Sequence, residues 1–421
     1  MNNKKKVLVI ADSPLAPSGV GTQTRYMIEG LLKTEEYKFF CLAGAIRHKD
    51  YRLQKVQPWG EDWLIKPTDG YGNKEVVRAI IKDYKPDIVW FMTDPRFYVW
   101  LWQIENEIRK NVPMVYYHVW DNYPYPQFNK KFYDSNDTIC TISKVTDDIV
   151  RTLSPEVDCV RIPHAVDNEI FHNKSKSQEV INFRNTVLGP NNENKCLFFW
   201  NNRNARRKQS GSLIFWFKEF LDKVGHDKAS LLMHTDPYDH NGQNLHDIVE
   251  YLNLNNNQVL FSTAKLPTQD LAGLYSAADC TINISDAEGF GLSTLESLSC
   301  ETPIIVNMTG GLQEQVTDGE KWFGFGIEPS SKAIIGSQDV PYIYEDRISK
   351  EDFIATLEKF INLPKSEREK FGTTGRQHVM DNYGFDQYHR LWKQTLDSVI
   401  EKNGSWENRK NYKHWTLEEI L

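Results

Sequence analysis

What the chain lacks narrows its class before any motif is read. No window approaches the roughly 18 to 20 consecutive apolar residues of a membrane span, so no integral membrane segment is expected. The apolar run Val7–Ala11 behind Lys4–Lys6 resembles the start of a signal peptide, but Asp12 ends it too early. It reads as a buried first strand. Cysteine is sparse: Cys41, Cys140, Cys159, Cys196, Cys280 and Cys300 include no C-x-x-C pair. That excludes a disulfide mini-scaffold and predicts buried free thiols in a reducing compartment. There is no P-loop, no Gly-x-Ser-x-Gly elbow, no short-period repeat and no low-complexity tract. His234, His240 and His246, with Asp236 and Asp239, lack the tight spacing of a zinc site, and no metal is expected. Positive charge is not in excess either. The formal net charge of -7 argues against a generally basic nucleic-acid coat. A cytoplasmic protein is expected.

What is present is a globular mixture of 40% hydrophobic and 25% charged residues over 421 positions, enough for two or three domains. Short apolar runs alternate with helical patterns. Candidate strands are Lys6–Ala11, Phe39–Ala43, Ile88–Met92, Met114–His118, Thr138–Ile142 and Cys159–Ile162. In the second half they are Cys196–Trp200, Ser230–His234, Val259–Ser262, Cys280–Ile284 and Pro303–Val306. Candidate helices include Thr22–Lys33, Lys74–Asp83, Ser212–Val224, Asn244–Leu252, Thr268–Ala277 and Leu292–Ser299. This order predicts parallel sheets built from right-handed βαβ units. The Asn-, Ser- and Lys-rich stretch 172–194, with Gly189-Pro190, reads as the join between two α/β halves.

Four segments carry chemistry. In Glu288-Gly-Phe-Gly-Leu-Ser-Thr-Leu-Glu296, Gly289 and Gly291 allow backbone N–H groups close to a ligand, and a helix starting near Leu292 attracts a diphosphate. Its two carboxylates are acceptors suited to sugar hydroxyls. In Arg203-Asn-Ala-Arg206-Arg207-Lys208, cations gather behind a strand, where they suit phosphate oxygens and the charge on a leaving diphosphate. Gly19 and Gly21 follow the first strand in a loop that can approach phosphate. His118 ends another strand, with Asp121 close behind.

The Glu288–Glu296 run, followed by Pro303-Ile-Ile-Val306 and Gly310-Gly311, resembles the family-four retaining glycosyltransferases. The resemblance implies an α/β GT-B fold: two facing Rossmann-like domains with a cleft between them. It implies an acceptor domain over 1–180, a nucleotide-sugar domain over 190–375, and over 376–421 a helix near Asp386–Glu401 crossing back to the first domain, plus a tail. Glu288 would contact the transferred sugar and Glu296 the ribose hydroxyls. Backbone amides of Phe290, Gly291 and Leu292 would hold the diphosphate or sugar. Arg203 and Lys208 best match the family's Arg and Lys, with Arg206 or Arg207 as alternatives for the Arg. Gly19 and Gly21 would face the donor diphosphate, and His118, or Asp121, the donor sugar. Gly310-Gly311 reads as another ligand-facing turn. A retaining front-face mechanism requires no general base, because the leaving phosphate oxygen takes the acceptor proton. The nucleotide sugar is a co-substrate; no cofactor is implied. Two positions depart from the pattern: Glu301 stands where the family usually has Gly, and in Arg161-Ile-Pro-His164-Ala165-Val-Asp167 the usual Asn and Gly are replaced.

The acceptor is less determined. Aromatics crowd the first half, including Trp59, Trp63, Trp90, Trp100, Trp102 and Trp120, and Tyr123-Pro-Tyr-Pro-Gln127 is the favoured acceptor loop. Residues 1–190 carry 26 basic and 24 acidic side chains, the remainder 24 and 33. The acidity therefore lies in the donor half and permits an anionic acceptor. Residues Tyr116–Ile142 resemble glycosyltransferases of tailed bacteriophages, some of which modify hydroxymethylated DNA bases. A DNA base, a glycan, a lipid or a protein side chain all remain open as acceptors. The rival readings are a noncatalytic nucleotide-sugar or glycan-binding protein, and a nucleotide-sugar epimerase.

Overall fold

The structure is a computed structural model that describes residues 4–123, 125–189 and 195–416. Pro124 of the expected acceptor loop, residues 190–194 of the expected join and residues 417–421 of the expected tail lie outside the described residues.

The chain divides into two compact units. The first holds residues 4–165, 336–342 and 385–416 of the described chain, the second 166–335 and 343–384. Strands of the first are β1 Lys5–Asp12, β2 Tyr37–Gly44, β3 Gln54–Val56, β4 Gly60–Pro67, β5 Ile88–Met92, β6 Met114–His118, β7 Thr138–Thr141 and β8 Asp158–Arg161. They form one sheet in the order β3-β4-β2-β1-β5-β6-β7-β8. All pairs are parallel except β3 with β4. Strands β5 and β6 are buried along their whole length, which is why their sequences are unbroken apolar runs.

Most of the aromatic excess of this unit is core. Phe91 stacks on Tyr116 at 5.0 Å, and Trp102 on Phe132 at 4.8 Å. Trp63, Trp90, Tyr98 and Trp120 are buried too. Many of the aromatics that crowd the first half therefore go to packing against the sheet. Helix Phe385–Asn403 belongs to this unit and seats Trp392 edge-on against Tyr117 at 4.8 Å and Trp90 at 5.7 Å.

The second unit contains β9 Cys196–Asn201, β10 Ala229–His234, β11 Val259–Ser262, β12 Cys280–Asn283, β13 Ile304–Asn307 and β14 Gly324–Ile327, in the parallel order β11-β10-β9-β12-β13-β14. Strand order therefore reverses between β9 and β12. In open α/β sheets, ligands bind at such a switch point, outside the carboxyl ends of the strands. Helix Ser210–Val224 follows β9 and helix Leu292–Ser299 follows β12. A separate antiparallel pair, β15 Ser331–Ile335 with β16 Ile343–Arg347, completes the unit.

The division falls at Ala165, upstream of the predicted join. The Asn-rich stretch instead contains helix Gln178–Leu188, which buries only Val180, Val187 and Leu188. So few apolar contacts leave a polar sequence that reads as a connection. Glu301 takes the left-handed conformation, φ 60, so the turn usually made by Gly is kept by a residue with a Cβ. All six cysteines are free thiols. Among the described residues, no helix is long and apolar enough to cross a membrane.

Candidate functional site

The site is built where β9 and β12 end. After β9, a 3-10 turn Arg206–Lys208 carries three cations. After β12, the chain runs through Asp286 and Glu288 into helix Leu292–Ser299. Asn307, at the end of β13, pins this second loop by donating to the Ser285 carbonyl at 2.9 Å.

Lys208 is the centre of the arrangement. Its Nζ forms an ion pair and hydrogen bond with Glu288, and the two side chains are only 9% and 14% exposed. Arg207 lies 3.8 Å from the same carboxylate oxygen. Burial pushes the Glu288 carboxyl up, but Lys208 and Arg207 outweigh it and hold it below the ordinary glutamate value. The site thus presents an ionised carboxylate beside two cations.

Glu296, one turn into the helix, is different. Tyr275 donates to it at 2.8 Å, and Asn201 donates in turn to the Tyr275 oxygen at 2.8 Å. Among the described residues no cation balances this carboxyl, and burial pushes it up to about 7. A group poised in this way gains from any hydroxyl donor brought to it.

The two glycine turns have a structural purpose. Gly310 has φ +49, and a Cβ there would lie 1.9 Å from the Glu288 carbonyl oxygen. Gly311 N–H donates to that same carbonyl at 3.0 Å. Gly310-Gly311 therefore sets the backbone of Glu288. Gly291 begins the helix at φ +93, no side chain caps it, and Phe290 is buried with its carbonyl bonded by Gln315. The N–H groups near Leu292 remain the feature suited to an anion.

Other predicted residues lie elsewhere. Arg203 does not join Glu288: its exposed guanidinium grips Asp239, with Nε 2.6 Å from Oδ2. Arg206 reaches Glu345 on β16. Of the candidate arginines, Arg207 is the one beside Glu288. In the first unit, His118 is fully buried, and its Nε2 meets the Tyr133 hydroxyl at 2.8 Å. Burial pushes its pKa down to about 3, so the ring is neutral and, as placed, exposes no surface to a substrate. Gly21 is buried, and a Cβ there would meet the Ser13 carbonyl oxygen at 2.6 Å; Gly19 is exposed at the start of helix Gly19–Leu32. Its N-cap Ser18 donates to Asp12 at 2.6 Å. Asp121 is half-buried. His164, buried, pairs with the Tyr117 hydroxyl at 2.8 Å. His234 pairs with Ser262, and among the described residues no group of three His, Cys, Asp or Glu could hold a metal.

Sequence reading missed Asp286, Gln209 and Glu345, which frame the basic turn. Their signal was faint, since Asp286 and Glu345 come together only through the approach of β16 to β12.

Residues 238–378 match the family of glycosyl transferases group 1. This segment, a third of the chain, is similar to group 1 glycosyl transferases. It holds Glu288 and Glu296 but begins after Arg207 and Lys208, so the fold, not the match, brings the basic turn to it. The D-inositol 3-phosphate glycosyltransferase of Streptosporangium roseum is 47% identical over 53 residues, 13% of this chain and 12% of that protein. The chain spans 12% to 24% of the length of the curated relatives it matches. Sucrose-phosphate synthase from Thermosynechococcus elongatus superposes with a TM-score of 0.75 at 16% identity, over 95% of this chain and 100% of that one. Anabaena Alr3699/HepE in complex with UDP-glucose gives 0.68 at 14% identity, over 93% and 99%. The matched segment thus sits in a chain of GT-B fold, with two Rossmann-like α/β sheets.

Proposed function

We propose that the protein is a retaining glycosyltransferase that moves a hexosyl or pentosyl group from a nucleotide sugar to an acceptor hydroxyl. The observation that carries this reading is the pairing of Lys208 with Glu288 beside Arg207 at the β9–β12 switch point. The donor diphosphate binds Arg207, Lys208 and the N–H groups around Leu292, with Phe290 and Gly291 shaping that turn. Glu288 holds the sugar and, through its charge, the cationic character that develops at the anomeric carbon. Glu296 accepts from the ribose hydroxyls. The bond from the anomeric carbon to the phosphate oxygen breaks and a bond to the acceptor oxygen forms on the same face. The acceptor proton passes to the departing phosphate oxygen, whose charge Lys208 and Arg207 stabilise. His118, buried, acts through Tyr133 on the shape of its strand end.

The acceptor proposed from residues Tyr116–Ile142 is a hydroxymethylated base in DNA, in a phage-encoded cytoplasmic enzyme. A second reading, a phosphorylated polyol, is favoured by the name of the curated relatives. The test is transfer by Lys208→Ala and Glu296→Ala, with mass spectrometry of products on hydroxymethylated DNA and on inositol phosphate. Near-normal rates in both variants sink the assignment. Donor turnover with no acceptor points to an epimerase, and donor binding without turnover to a binding protein.

A further inference from the structure

The basic turn ends at Gln209, whose backbone lies in the left-handed region at φ 57. Glycine adopts this conformation freely, whereas a residue with a Cβ does so at a cost. The Gln209 side chain is engaged at both ends. Its Nε2 donates to Asp286 Oδ2 at 2.6 Å, and its Oε1 accepts from the Ser212 hydroxyl at 2.7 Å. The backbone of Asp286 is tied to both neighbouring segments. Its N–H donates to the Arg207 carbonyl at 2.8 Å, and its carbonyl accepts from the Asp346 N–H at 2.9 Å. Asp286 is 3% exposed and stands two residues before Glu288. It therefore contacts the turn with Arg207 and Lys208 while sharing a loop with their partner.

We propose that Asp286, acting through the Gln209 amide, is a positioning residue that holds the Arg207–Lys208 turn in register with Glu288. The inference rests on the donor-site reading above and names what keeps that site aligned. The charged groups facing Asp286 are Arg206 from the turn and Glu345 and Arg347 from β16. Arg206 and Arg347 both bond Glu345, at 2.9 and 3.1 Å, so neither is free to neutralise Asp286 fully. Burial accordingly pushes Asp286 up to about 6. Protonation there replaces a charge-assisted bond from Gln209 with a weaker one, and the turn loosens as pH falls through about 6.

The experiment compares Gln209→Gly, Asp286→Ala and Asp286→Asn with the wild-type chain. Its first readout needs no donor: acylation of the Lys208 amine by an amine-reactive ester, followed by peptide mass spectrometry. Lys208 is protected in the intact site. Gln209→Gly relieves the backbone cost, so the variant folds with an undiminished melting temperature. Lys208 labelling nevertheless rises on the order of 10-fold in it and in Asp286→Ala, through local opening of the turn. Asp286→Asn keeps an oxygen acceptor for Gln209, retains protection, and loses the change in labelling near pH 6. Unchanged labelling in Gln209→Gly overturns the proposal even if Asp286→Ala fails to fold. The second readout is calorimetric binding of UDP-glucose, expected to weaken on the order of 10- to 100-fold in Gln209→Gly, in line with the cost of misplacement. If labelling rises while the wild-type chain binds neither UDP-glucose nor other nucleotide sugars, the donor reading fails and the positioning role stands. The reverse result sinks the positioning role alone.

Discussion

The Tyr275 hydroxyl donates to Glu296 Oε2 at 2.8 Å, and it is the one side-chain hydrogen bond that this carboxyl receives among the described residues. Glu288, eight residues earlier, sits against two cations instead. Two glutamates on one motif thus carry opposite shifts. Desolvation raises one to about 7, and ion pairing lowers the other.

The pH dependence of donor binding follows from Glu296. Ribose hydroxyls favour the ionised form, so affinity for a nucleotide sugar rises as pH passes from 6 to 8. Titration calorimetry at several pH values checks this. Tyr275→Phe removes the bond that favours the anion and moves the rise to higher pH.

Stability runs in the opposite direction. The folded-state value of Glu296 lies above the unfolded one, so its contribution is full below about pH 4 and is lost as pH rises through about 7. Glu296→Gln is expected to be more stable than wild type at pH 8 by roughly 1 kcal/mol, reduced from the full shift because the half-buried side chain keeps solvent contact. At pH 4 the difference disappears. Urea unfolding at the two pH values measures it.

Breaking the buried pair is costly. Lys208→Ala leaves Glu288 without its close partner and is expected to lose about 3 kcal/mol of stability. Its turnover falls by on the order of 100-fold or more if Lys208 stabilises the leaving group. Lys208→Ala combined with Glu288→Gln recovers part of the stability and none of the rate.

The two arginines separate cleanly. Arg203 is an exposed partner of Asp239, so Arg203→Ala costs less than about 1 kcal/mol. It changes the dissociation constant of a nucleotide sugar less than Arg207→Ala does. A larger effect at Arg203 would restore the sequence-based choice.

Gly310→Ala is expected to destabilise by about 2 to 4 kcal/mol, since its Cβ cannot coexist with the Glu288 carbonyl and its φ is positive. Thermal melting detects the loss, and donor affinity falls with it because Glu288 must move.

Much of the parallel framework was readable in the sequence. Strands β5, β6 and β9 are buried almost throughout, so their apolar runs are uninterrupted. Strand β4 was missed because burial alternates along it, and charged Glu61, Asp62 and Lys66 interrupt the apolar residues. The hairpin β15–β16 was missed because it is mostly exposed, with Glu345 as its most buried residue. Helix Gln178–Leu188 was hidden by its polar surface.

The sequence by itself determined the α/β class, the Glu288–Glu296 spacing and the presence of a cationic turn, because these depend on local order and periodicity. Only the tertiary structure decided which cation meets which acid. Arg203, Arg206 and Arg207 are chemically equivalent in the chain, yet they part toward Asp239, Glu345 and Glu288. Those partners lie 36, 139 and 81 residues away. The parallel sheet, whose strand order reverses beside β9, and the separate β15–β16 pair bring such distant residues together, and no local pattern records that neighbourhood.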